Sequence, residues 1–166
     1  MKLNLFKFLG NRAEQSALKS VIESKLKDFE ENLSYVKIDW KKSPREFEKM
    51  KSNELIALKQ AVNCLNGYIK EIKIKFEISS DVLGVLNKIE NLSNSVLEIA
   101  NVDNMVKIFK DRGMERWDEK KEGPFVIEPM SSALHNEMQH LWVQIHKLRT
   151  ADFNSILSDK LETDSK

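Results

Sequence analysis

Between Leu55 and Phe76 the large apolar residues fall at Leu55, Leu58, Val62, Leu65, Ile69, Ile72 and Phe76, separated by alternating steps of three and four. Such spacing puts all seven on one stripe of an α-helix, and a strand, whose side chains alternate at every second residue, cannot use it. The same steps resume after "SSD" at Val82, Val85, Ile89, Leu92, Val96 and Ile99. Two seams joined by so short a link predict antiparallel neighbours, with Leu58, Leu65 and Ile72 against Val85, Leu92 and Ile99. A further row, Leu83, Leu86 and Leu97, widens the apolar face of the later helix and predicts a central place for it.

Two more helices follow from the same periodicity. Leu18, Ile22, Leu26, Phe29, Leu33 and Val36 define a helix from Arg12 to about Lys37, and Leu134, Met138, Leu141, Ile145 and Leu148 define a last helix starting near Ser131. That last helix either runs on to about Leu161 or breaks near Asp152. In "SPREFE", Ser43 can cap, Pro44 suits the first helical position and Glu46 completes a capping box, so the seam helix is expected to begin there. "NVDN" at 101–104 predicts a kink or a new cap, and the Gly-, Pro- and charge-rich stretch from Asp111 to Ser132 predicts a long connection. Five Gly and three Pro in 166 residues are too few for a sandwich of many short strands. The expectation is therefore all-α: one domain over residues 1–161, an antiparallel bundle of four main helices with coiled-coil-like seams, a long charged connection before the last helix, and a frayed tail at 162–166.

The chain opens on "MKLNLFKFLGNR", which sets Leu3, Leu5, Phe6, Phe8 and Leu9 beside only Lys2 and Lys7. Apolar residues occur on most sides of a helical wheel drawn through this run, which favours burial as a strap (1–10) across the bundle over an interfacial membrane helix with one cationic face. A partner anchor and a membrane foot are the competing readings.

Formal net charge is only +1, but Lys and Arg outnumber Asp and Glu by 16 to 10 in residues 1–75 and are outnumbered 11 to 16 in residues 76–166. Oppositely biased halves attract within one bundle; a basic N-terminal face toward an anionic surface is the sharper alternative. Cys64 is the single cysteine, so no internal disulfide forms. Its place in the seam helix predicts a small buried hydrophobe, and the absence of a disulfide framework and of a spanning segment points to the cytoplasm.

Chemistry-bearing motifs are incomplete. Glu137 and His140 form half of a di-iron Glu-x-x-His arrangement without the second half, and His135 and His146 stand at the wrong spacing to share a metal with His140. Glu115, Asp118, Glu119 and Glu122 lie in a charge run with Lys120 and Lys121, which reads as solvated. No phosphate loop or nucleophile elbow is present. No cofactor or catalytic residue is assigned. What remains is binding: to another protein, to a second copy, or to a membrane surface, with nucleic acid disfavoured because the basic half is almost all Lys interleaved with Glu and its aromatics lie mostly on core stripes. Candidate contact residues are Leu5, Phe6, Phe8 and Leu9 of the opening run, and Lys37, Trp40, Lys41, Lys42 and Arg45 of "KIDWKKSPR".

Overall fold

The computed structural model describes residues 2–101 and 130–153, with backbone only for residues 2–9 and 11. Among these residues the chain forms five helices and no strand: α1 (Lys2–Leu33), α2 (Arg45–Glu48), α3 (Ser52–Lys75), α4 (Ser80–Ile99) and α5 (Met130–Arg149). The expected kink at 101–104, the long connection and the region beyond Phe153 lie outside the described residues.

Specific pairs fix the packing of the four long helices. Lys25 Nζ sits 4.4 Å from the ring centre of Tyr68, while Lys37 N–H, just past α1, reaches Glu54 at the start of α3, so α1 and α3 run antiparallel. Asn66 Nδ2 donates to Asn94 Oδ1 at 2.7 Å and Lys73 pairs with Glu90 at 2.6 Å, which sets α3 antiparallel to α4. Arg149 near the end of α5 meets Glu30 and Glu23 of α1, and α4 packs along α5, closing the ring of four.

The core is the one the periodicity predicts for α1, α3 and α5. Leu18, Ile22, Leu26, Phe29, Leu33 and Val36 are buried, as are Leu55 through Ile72 of the seam and Leu134, Met138, Leu141, Ile145 and Leu148. Each such side chain stabilises the fold by about 1.5 to 3 kcal/mol. Val36 is buried from the connection rather than from helix, because α1 ends at Leu33.

Three expectations are corrected. On α4 the most deeply buried line is Val82, Leu86, Ile89, Ser93, Val96 and Ala100, while Val85, Leu92 and Ile99 are half-buried on its flank. Ser93 lies within that line and Ala100, just past the end of α4, closes it, both fully buried although small. The helix expected from Ser43 divides in two: α2 is a single turn, Lys51 is extended, and α3 starts at Ser52. In one continuous helix Met50 would point roughly 140° away from Leu55; the break lets Met50 and Phe47 both turn inward, where each is fully buried. Cys64, expected inside, is exposed, because a residue one position before Leu65 lies roughly 100° round the helix from the core line.

The opening run is helical as well. From Lys2 the backbone continues into α1 without interruption at Gly10, so no separate segment precedes a helix at Arg12. Leu and Lys propagate helix well, and one interior Gly costs only about 1 kcal/mol against Ala. Counting back from the Lys25–Tyr68 contact, Leu18 lies level with Lys75 at the end of α3, so α1 continues for about four more turns beyond that level.

Candidate functional site

The connection between α1 and α3 folds over one end of the bundle, and there the cationic cluster meets the last helix. Trp40 is buried and its indole stands edge-on to Trp142 of α5, with ring centres 5.8 Å apart and planes at 73°. Lys41 extends over both, its Nζ 4.2 Å from the Trp142 ring centre and 5.6 Å from that of Trp40. A cation held over two indoles gains from their electron-rich faces while staying accessible to an anion. Gln139 Nε2 donates to the Lys41 carbonyl at 3.4 Å, tying the connection to α5. Below, Glu48 of α2 accepts from Ser131 Oγ at 3.2 Å and Phe47 packs edge-on to His135.

These residues frame an open cleft of about 290 Å³ lined by Glu30, Leu33, Ser34, Trp40, Lys41 and Trp142. Its acidic wall is neutralised from behind: Arg149 Nη1 donates to Glu30 Oε1 at 2.8 Å. That hydrogen bond holds the Glu30 carboxyl below its ordinary value and raises the Arg149 guanidinium. A depressed carboxyl contributes stability in full above its unfolded value and loses it as pH falls through the folded one. Both side chains are about a third exposed, so the pair is worth about 0.5 to 1 kcal/mol. Arg149→Met is expected to remove that increment at neutral pH and flatten part of the acid-side decline below about pH 4.5, measured by urea melts across that range.

The remaining candidates are distributed as follows. Lys42 pairs with Asp39 at 2.9 Å, a hydrogen bond that raises its pKa. Lys37 and Arg45 are exposed on the same connection. A second cleft, about 490 Å³, opens beside Lys37 between Asn32, Tyr35, Asn53, Ala57 and Gln60. Leu5, Phe6, Phe8 and Leu9 belong to the opposite end of α1, separated from this connection by about 36 Å of helix between Leu9 and Leu33. The structure therefore brings Trp40, Lys41, Lys42, Lys37 and Arg45 to one end of the bundle and the opening apolar run toward the other. Trp142 and Glu30 escaped the sequence reading. Trp142 neighbours Leu141 on α5 and so marks a flank, but its meeting with Trp40 spans 102 positions and leaves no local signal.

His140 is exposed and Glu137 half-buried on α5, and among the described residues no three His, Cys, Asp or Glu side chains gather as a metal site. No described helix is long and apolar enough to cross a membrane. The fold and the cleft define a helical-bundle protein with an aromatic and cationic end. Neither a family model, a curated protein nor a solved structure matches the chain.

Proposed function

We propose that the protein is a non-catalytic protein–protein interaction module of the cytoplasm, an adaptor, assembly subunit or immunity-type binding protein, that receives its partner at the Trp40–Lys41–Trp142 cleft. The observation that carries this reading is the paired indoles under Lys41, flanked by Lys37, Lys42 and Arg45. Aromatic anchors beside cations are what concentrated binding energy at interfaces is made of. Charge matching selects an acidic partner segment that carries an apolar side chain for the cleft.

The opening run supports a second reading, a peripheral membrane protein. It lies on the part of α1 beyond the end of α3, and a surface-seeking segment needs such an outlying position. One set of proteins separates the two. Lys41→Glu is expected to weaken capture of a partner from host lysate at least tenfold, since an exposed charge reversal opposes an acidic segment and leaves the core intact. Deleting residues 2–10 is expected to leave that capture unchanged. Capture indifferent to Lys41→Glu refutes the cleft reading; sedimentation with anionic liposomes by the full chain, lost on the deletion, makes the membrane reading first.

A further inference from the structure

The side of α3 that faces away from the core has a second regular stripe. Ile56, Gln60, Asn63, Gly67, Lys70 and Ile74 are all exposed and are spaced by four, three, four, three and four residues. This is the periodicity of the core seam, on the opposite side of the same helix. Ile56 is 56% exposed and Ile74 84% exposed, large values for side chains that gain so much from burial. The N-terminal part of the face is poor in charge: between Leu55 and Ile69 Lys59 is the single charged residue, in a chain where 32% are charged, while Lys70 lies in the stripe and Glu71, Lys73 and Lys75 flank Ile74. Depletion of charge around apolar anchors distinguishes the centre of an interface from ordinary surface.

We propose that this stripe pairs with the same stripe of a second copy, antiparallel, about a two-fold axis at the level of Leu65. The register selects this occupant. Ile56 and Ile74 are 18 residues apart, five whole turns of helix, so they share one direction from the α3 axis. A two-fold midway between them sets Ile56 of each copy against Ile74 of the other at both ends. The same operation sets Asn63 against Gly67, where a Cβ would meet nothing within 4 Å and the Asn side chain finds room. Gln60 then opposes Lys70, a neutral group facing a cation. A face that is its own complement under one rotation is what an isologous dimer requires. This surface is independent of the Trp40–Trp142 cleft.

The stripe is about 27 Å long, and with flanks about 20 Å wide it buries roughly 500 Å² per copy. That is the lower edge of specific interfaces, which makes the dimer weak, with a Kd of roughly tens to hundreds of micromolar.

Sedimentation equilibrium of the full chain tests this directly. Average mass is expected to rise toward twice the chain mass between about 10 µM and 1 mM. Ile56→Glu and Ile74→Lys, each at an exposed position and so without effect on melting, are each expected to weaken association at least tenfold. The double variant Ile56→Glu/Ile74→Lys then regains it, because the antiparallel register sets Glu against Lys at both ends whereas a parallel one sets like against like. Cys64, exposed and close to the axis, is expected to link two copies through a short bis-maleimide in the parent and not in Ile56→Glu. A parent that stays monomeric to about 1 mM, a dimer indifferent to Ile56→Glu, or a double variant that fails to recover overturns the proposal.

Discussion

Leu65→Ala is expected to destabilise the protein by about 3 to 4 kcal/mol, lowering the melting temperature by roughly 8 to 12 °C for a chain of this size. Leu65 is fully buried midway along α3, between Val62 and Ile69 on the line that meets α1 and α4. Helices held on both sides cannot collapse into the space left by the missing Cγ and the two Cδ atoms, so the loss includes a cavity as well as the transfer of apolar surface. Leu92→Ala on α4 is the informative comparison. The sequence spacing puts Leu92 in the seam, but the structure places it on the flank and Ser93 in the buried line, so Leu92→Ala is expected to cost about half as much. Equal losses at the two positions would return Leu92 to the seam. A parent-like melt for Leu65→Ala would remove α3 from the core altogether.

Periodicity was sufficient for α1, α3 and α5 because their core lines consist of large side chains, and a large apolar residue repeated at helical spacing has one physical explanation. It misplaced the core line of α4 because Ser93 is small and polar and Ala100 is small, so neither stands out in a pattern of large apolar residues although both are fully buried. The break at Lys51 was hidden for a different reason. A helix does start near Pro44, though with Pro44 rather than Ser43 as its N-cap and no side-chain cap hydrogen bond, but Phe47 and Met50 cannot both reach the core from a helix that continues into Leu55. That constraint belongs to the tertiary arrangement. The candidate site was legible to the same degree: the Lys- and Trp-containing connection showed itself as a cluster, and the side of the cleft supplied by α1 and α5, Glu30 and Trp142, did not, because contacts across the bundle carry no mark in local sequence. Cys64 and the outward stripe of α3 belong to a helix whose apolar inner seam dominates its pattern, and a second stripe on the far side becomes visible only when the first has been placed.

The break between α2 and α3 depends on one carboxylate. Glu54, 8% exposed, accepts the Lys37 N–H through Oε1 at 2.8 Å and the Lys51 N–H through Oε2 at 3.0 Å, while its own N–H is capped by Asn53 Oδ1 at 3.0 Å. One side chain thus ends the connection over the bundle, starts α3 and anchors the strand of chain that carries Trp40 and Lys41. A buried carboxylate among apolar neighbours would be costly by itself, but two aligned amide dipoles supply the compensation. Glu54→Ala leaves both amides without their acceptor and is expected to cost about 2 to 4 kcal/mol. Glu54→Gln keeps one acceptor and turns an amino group toward the other N–H, so it recovers less than half of that loss. Both partners are neutral backbone groups, so the effect should persist in about 1 M salt, where exposed ion pairs such as Lys42–Asp39 are screened. The local signature is faster hydrogen exchange at the Lys37 and Lys51 amides together with altered Trp40 emission, before global unfolding. If Glu54→Ala exchanges at those two amides like the parent, the carboxylate is not what holds the connection, and the burial of Phe47 and Met50 must position the cleft on its own.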